Sequence, residues 1–305
     1  MEHNWLRKAS SGQFRSGWAS AYWNGQGLIA SDINRQARKV NKAYAILSKV
    51  DFLGLGKTHG KEGKVQAIKR ADNSSSLLCN CPTGNAGVGL IVKNAFLDQF
   101  LGWEWINIAM GRAGVLRLQG SNGDLDIFSI YLPTGNSGGK SGRIEIIKLI
   151  SQKYLRDREI CMSIVMGDFN HVNSHGDRYS TEEFTGNSDK LEGKETDDYL
   201  GQHGLKEIEQ PLPTYRGDGI HSRTDRIYSN HHTVYQLDSD LGATTLDWDD
   251  FLSRHRPILG FRRIKINDDF KPSIDESSVR NVNWSKRVIA HAIEIIEEKN
   301  STTRV

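Results

Sequence analysis

Residues 161–170 read CMSIVMGDFN. The run is apolar from Cys161 to Met166 apart from Ser163, and its adjacent Ile164 and Val165 suit a short buried strand better than a helix. It then stops at Gly167, and Asp168 and Asn170 follow two positions apart, which puts them on the same side of an extended chain. A carboxylate that can take a proton beside an amide that can orient water is what attack on a phosphoester needs. The same four residues also suit an Asx-type turn that closes a strand, and on this stretch alone the two readings stand level.

Working outward, the chain alternates β-like runs with a few helical ones. ASAYWNG (19–25) reads as a strand ending at Asn24. Ser31 or Asp32 caps a following helix with Ile33, Ala37, Val40, Ile46 and Leu47 along its apolar face. DFLGL, KVQAIK, SLLCN, GVGLIV, INIAM, GVLRLQ and LDIFSIYLP read as successive strands. A second helix over about Arg143 to Leu155 delivers the chain into the opening strand. KETDDYLGQHG (194–204) suggests another helix, and TYRG, RTDRIYSN, HHTVYQL and ILGFRRIKI further strands. Strands with a few outer helices predict an α+β fold, a four-layer α/β/β/α sandwich of two packed mixed sheets flanked by helices. Composition changes near Asn267, so the division expected is an N-terminal extension (1–18), one domain (19–265), and a polar linker with a C-terminal helix (266–305).

Composition narrows the function. The 305 residues carry a net charge of +3, which permits nucleic acid as a partner without demanding it. Three cysteines, Cys79, Cys81 and Cys161, make neither a disulfide framework nor a zinc site. No stretch approaches the roughly 18 apolar residues of a membrane span, and there is no signal-peptide pattern. A soluble intracellular monomer, nuclear or cytoplasmic, is expected. YLPTGNSGGKSGR (131–143) lacks the spacing of a phosphate-binding P-loop, and Gly139, Lys140 and Ser141 read as a flexible loop.

Other candidates for chemistry also fall at strand ends. Asp225 opens RTDRIY and His255 precedes the last strand. An aspartate paired with a histidine fixes its tautomer and lets the imidazolium meet a phosphate oxygen. Asn24 and Tyr131 end two other strands.

Taken in order, YWNGQGL, LGLGKTHG, GVGLIV, IYLPTG, MGDFN with GDR after it, RTDRIY and SRHRPI resemble the endonuclease/exonuclease/phosphatase superfamily over about residues 19–265. The resemblance is nearest to the apurinic-type endonuclease domains of non-LTR (LINE-like) retrotransposons. It implies a DNA-nicking phosphodiester hydrolase that uses magnesium or manganese, with a reverse transcriptase as an associated domain. By the same resemblance Asn24 would help hold the metal and Tyr131 would contact the scissile phosphate. Asp168 would orient or deprotonate the attacking water, Asn170 would position it, and Asp225 with His255 would stabilise the phosphorane charge.

Two positions depart from the family. Lys57 follows Gly56 where a metal-binding glutamate is expected, and Arg254 stands between Ser253 and His255 where an aspartate is expected. Cations at both places favour three alternatives: a domain that binds nucleic acid without turnover, a site in which the cations act for the metal, or one in which Glu62, Asp249 or Asp250 supplies the missing ligand. Lys57, Arg216, Arg223, Arg226, Arg254 and Arg256 form a candidate phosphate-backbone surface, with Tyr215 and Trp248 as possible stacking partners. A small-substrate inositol or lipid phosphatase is a further alternative, on the faint signature in TDRIY.

Overall fold

The computed structural model describes residues 14, 17–29, 31–60, 74–79, 84–121, 123–135, 137–180, 190–230 and 239–264. The chain divides into two units at Lys265, and every described residue lies in the first. The predicted strands KVQAIK and HHTVYQL, the predicted C-terminal helix, Lys61 and Glu62 lie outside the described residues.

The first strand, β1 (Trp18–Asn24), is buried almost throughout and runs parallel to β2 (Phe52–Gly56), with Asn24 paired in register with Gly56. Between them α1 (Ile33–Leu47) starts at Asp32, whose carboxylate accepts from the N–H groups of Asn34 at 2.8 Å and Arg35 at 3.2 Å. Such a cap contributes about 1 kcal/mol. Val40, Ala43, Ile46 and Leu47 of α1 pack on the sheet. Ile33 and Ala37, predicted on that face, are exposed.

The chain continues through β3 (Ser74–Cys79), β4 (Val88–Lys93), the short α2 (Asn94–Leu97), β5 (Gly102–Ala109), β6 (Ala113–Gln119) and β7 (Asp124–Tyr131). Next come α3 (Ser137–Leu149), a π-helical turn Ile150–Tyr154, β8 (Cys161–Asp168), β9 (Arg178–Ser180) and α4 (Lys190–Gly201). The last elements are β10 (Lys206–Glu207), β11 (Tyr215–Gly217), β12 (Ile220–Ser222), β13 (Asp225–Ser229), β14 (Ser239–Thr245) and β15 (Ile258–Ile264). One six-stranded mixed sheet has the order β14-β15-β1-β2-β4-β3, and a second the order β10-β13-β8-β7-β6-β5. β11, expected as TYRG, pairs with β12, which pairs in turn with β9, in a small third sheet; β9, β10, β12 and β14 were not expected.

The two large sheets bury Tyr22, Phe52, Leu90, Ile127, Ile164, Met166, Ile227 and Ile258 between them. α3 and α4 cover the outer face of the second sheet through Ile147, Ile150 and Leu200 against Phe128, Val165 and Tyr228. With α1 on the first sheet this is the four-layer α+β sandwich expected. The sheets approach closely where β2 carries glycine: a Cβ on Gly54 would lie 2.7 Å from Met166 Sδ. Tyr22 reaches through the gap and its hydroxyl donates to the Ile130 carbonyl at 2.9 Å.

Two sequence expectations need correction. Gly139, Lys140 and Ser141 form the first turns of α3, not a loop; the Thr134 carbonyl lies so near Gly139 that no side chain fits there. Phe14, assigned to an extension, is buried and packs on Phe96 and Phe100, so the domain begins before residue 19.

A buried ion network ties β9, β10 and β13 together. Fully buried Arg226 donates to Glu207 Oε2 and Asp177 Oδ2, each at 3.0 Å, while Arg223 Nε donates to Asp177 Oδ1 at 2.7 Å and its Nη1 to Glu207. Burial pushes the Asp177 carboxyl up, but Arg226 and Arg223 outweigh it and hold it below its usual 3.8. A carboxyl lower in the folded than in the unfolded chain adds stability above the unfolded value, and that stability is lost as pH falls through the folded one. Arg226→Ala, which leaves Asp177 and Glu207 with Arg223 as their guanidinium partner, is expected to cost about 1.5–3 kcal/mol in urea unfolding, the scale of a lost hydrogen bond to a charged group. A cost under about 1 kcal/mol, the range of an exposed pair, would show that the network is solvated.

Candidate active site

β8 carries its apolar run straight through the second sheet and ends on Asp168, which is 1% exposed. Gly167 lies against the Ile130 carbonyl with no room for a Cβ, so the strand passes tight beside β7. β7 pairs parallel with β8 and sets Tyr131 beside Asp168. β13 pairs antiparallel on the other side and sets Asp225 beside Asp168. The first sheet delivers Asn24 from the end of β1, and the loop before β15 delivers His255.

These side chains meet in one hydrogen-bonded cluster. Asn24 Nδ2 donates to Asp168 Oδ2 at 2.7 Å and lies 3.4 Å from His255 Nε2. The Asn170 N–H donates to Asp168 Oδ1 at 3.0 Å, and its amide Nδ2 to the Leu132 carbonyl at 2.7 Å. The Asx turn and the site geometry are therefore one structure. His255 Nδ1 lies 2.8 Å from Asp225 Oδ2, which assigns the proton to Nδ1 and turns Nε2 toward Asp168 Oδ2 at 3.9 Å. Ser253 Oγ donates to the Asn24 carbonyl at 2.7 Å and accepts from the His255 N–H at 3.0 Å, locking the His255 loop to β1.

Burial, then the Asp225 charge, pushes the Asp168 carboxyl up to about 6, against His255 and the Asn24 hydrogen bond. For His255 burial pulls down, but the Asp225 charge and hydrogen bond win and its pKa is raised. The Tyr131 hydroxyl is raised by burial and by Asp168, with Arg112 stacked 4.9 Å over its ring.

The cluster floors a cleft of about 270 Å³ lined by Asn24, Lys57, Tyr131, Asp168, Asn170 and His255 together with Gln26, Thr134, Arg178, Tyr215, Ser222 and Thr224. Asp225 sits behind His255, fully buried. The sequence reading missed Arg178, although it is the arginine of GDR, and it missed Lys39. Lys39 looks like a solvent-facing helix residue, yet it is buried and its ammonium donates to the Gly25 and Gln26 carbonyls, each at 2.6 Å. Burial, with Arg35 and Lys57 nearby, lowers its pKa to about 8.

No protein-family model matches the chain, and no curated protein matches it in sequence. Solved structures do match in shape. The AP endonuclease LMAP from Leishmania major superposes with a TM-score of 0.61 at 14% identity, over 81% of this chain and 88% of that one. The endonuclease domain of TRAS1, a telomere-specific non-LTR retrotransposon, gives 0.54 at 16% identity over 82% and 100%. D. rerio TDP2 complexed with a single-strand DNA product gives 0.56 at 16% identity over 81% and 99%. The chain has the endonuclease/exonuclease/phosphatase fold.

Within that fold, the basic residues divide. Lys57 lines the cleft. Arg216, Arg254 and Arg256 lie outside its lining: Arg216 Nε donates to Asp250 Oδ1 at 2.7 Å, Arg216 and Arg256 sandwich Trp248 at 4.7 and 4.9 Å, and Arg254, 55% exposed, hydrogen-bonds Tyr215 and faces Asp218. Arg223 and Arg226 are not phosphate contacts, because both guanidiniums are spent on Asp177 and Glu207. Asp249 pairs with Lys42 at 3.6 Å and Asp250 with Arg216, so neither supplies a ligand to the cleft.

Asp168, Asp225 and His255 have ligand atoms within 4.8 Å of one another, the one such group among the described residues. The donor set of the endonuclease/exonuclease/phosphatase cleft nevertheless does not suit magnesium or manganese, hard ions that want several oxygen ligands. Asp168 is the one carboxylate lining the cleft and both its oxygens already accept hydrogen bonds; Asp225 lies outside the lining with Oδ2 bound to His255, which leaves its buried Oδ1 as the single carboxylate oxygen of the pair without a hydrogen-bond partner; and Lys57 sets a cation in the same wall. Asn24, expected to hold the metal, turns its NH₂ to Asp168 and its Oδ1 to the Gln26 N–H at 3.1 Å.

Because the Asn24 hydrogen bond holds the Asp168 carboxyl down, Asn24→Leu should raise that pKa above about 6. Carboxyl ¹³C NMR titration of both proteins reads it directly, and an unchanged or lower value would contradict the geometry.

Proposed function

We propose that the chain is a phosphodiester hydrolase that nicks DNA, of the type carried by non-LTR retrotransposons beside a reverse transcriptase. The observation that carries this is the convergence of Asp168, Asn170, Asn24 and the Asp225–His255 pair on the floor of one cleft. The shape shared with a retrotransposon endonuclease domain and with a DNA-bound TDP2 supports DNA as the substrate.

In this reading the scissile phosphate sits against Tyr131, Asn170 and His255. Asp168 takes a proton from water while the water oxygen bonds to phosphorus and the bond from phosphorus to the 3′ oxygen breaks; the leaving oxygen takes a proton from solvent. The products are a 3′-hydroxyl and a 5′-phosphate. The His255 imidazolium, fixed by Asp225, meets the charge that builds on the phosphorane. Arg178 and Lys57 add positive charge from the walls.

Lys57 also supports a second reading, a domain that holds the phosphodiester without turnover, since its charge strengthens ground-state binding as much as the transition state.

A supercoiled-plasmid nicking assay separates the two. Nicking should be lost in Asp168→Ala by about 10²–10⁴-fold, the usual worth of a general base. Equal rates for the native protein and Asp168→Ala would remove Asp168 from the chemistry, and no nicking by the native protein would favour the binding reading.

The pH profile should be a bell. Asp168 must be ionised to act as base, so the rate rises as pH passes about 6; His255 must stay protonated, so it falls again above the raised His255 pKa. In Asp225→Asn the descending limb should move to lower pH, because the charge that raises the His255 pKa is gone.

A further inference from the structure

The cleft wall holds a fixed cation that no described carboxylate neutralises. Lys57 lines the cleft, and among the described residues no ion pair or hydrogen bond of its ammonium is found. Its backbone is pinned from both sides: the Gly27 N–H donates to the Lys57 carbonyl at 2.7 Å, and the next residue's N–H, on Thr58, donates to the Gly87 carbonyl at 3.0 Å. Behind it, buried Lys39 clamps the Gly25–Gln26 turn that carries the Gly27 end of this arrangement. The lysine is thus mounted on a rigid base.

The rest of the lining matches a phosphate. Tyr131, Thr134 and Asn170 bring neutral polar groups beside the Lys57 cation. Against these the lining holds a single carboxylate, Asp168, whose oxygens accept from Asn24 and Asn170. An anion is favoured over a cation in such a cleft on charge alone. The buried histidine feels the same field, since Lys57 acts against its protonation from across the cleft.

We propose that the cleft takes the phosphate of a phosphodiester directly on the Lys57 ammonium, with no divalent ion between phosphate and protein. Lys57 is the resident cation of the site, and substrate binding is independent of magnesium. The proposal rests on the phosphodiester reading of the cleft and adds to it the means by which the phosphate charge is met.

The test is fluorescence anisotropy of a labelled duplex oligonucleotide with the full chain, in magnesium and in EDTA, alongside isothermal titration of manganese into the protein. The native protein should bind the oligonucleotide equally in both buffers and take up no manganese. Lys57→Ala should weaken binding in EDTA about tenfold, the scale of one charge-assisted contact to phosphate. Lys57→Arg should restore most of that loss, which a purely structural role for the lysine would not produce. Lys57→Glu should bind the oligonucleotide poorly in EDTA but acquire manganese. Thermal melts of each variant separate misfolding from loss of contact, and a variant that fails to fold leaves the decision to the native protein in EDTA and to Lys57→Arg.

Binding that EDTA abolishes, or stoichiometric manganese uptake by the native protein, overturns the proposal. If no oligonucleotide binds in either buffer, the DNA reading fails by itself. Phosphorus NMR of inorganic phosphate in EDTA then decides the narrower point: line broadening with the native protein that is lost in Lys57→Ala keeps Lys57 as the phosphate cation, and no broadening at all overturns it too.

Discussion

The hydrogen bond from Asn24 to Asp168 joins the two sheets at the edge where the cleft opens. Each partner ends a strand of a different sheet, so the 2.7 Å contact sets how far apart those ends stand. It is buried, and either group left alone there would carry a desolvation cost of about 1–3 kcal/mol or more. Around it the other groups take their places by strand register: Tyr131 and Asp225 flank Asp168 because β7 and β13 flank β8. Ser253 carries the constraint one step further, tying the His255 loop to the same asparagine. The geometry of the site is therefore a property of sheet packing, and loop motion contributes little to it.

Charge is distributed by a different logic. A basic residue counts toward ligand binding only if the fold leaves its charge unspent. Arg226 and Arg223 close the ion network under β13, and Arg156 does similar work against Asp124 and Asp126. Arg216 and Arg256 hold Trp248 between them. Cations that look equivalent along the chain are thus divided among a buried structural set, a stacked surface set, and Lys57 in the cleft.

Much of this was legible in the sequence where signals were periodic and local. The apolar runs of β1, β2, β4, β7 and β8 are plain in the sequence, and Asn24, Tyr131 and Asp168 end three of them, while the roles given to these residues and to Asn170 and His255 came from the family resemblance. Short strands such as β9 and β12, three residues each, offer no periodicity to read. The start of α3 was hidden by glycines, which disfavour helix but are required by the nearby Thr134 backbone. Arg226 was misread because its partners, Asp177 and Glu207, stand 49 and 19 residues away, and such pairing is a fact of tertiary structure. Lys39 failed for the same reason: its acceptors are backbone carbonyls, which have no sequence signature.

Four residues in or beside the cleft, Gln26, Lys57, His59 and Asn170, have left-handed backbones, with φ of 46°, 52°, 58° and 52°. For a residue with a Cβ this conformation costs about 1–2 kcal/mol relative to the right-handed region, a cost glycine avoids. Gln26 and Lys57 are the less tolerant kind, since asparagine and histidine are enriched in this region and they are not. The cleft is thus built at a cost in folding stability that is concentrated in the turns carrying its polar side chains.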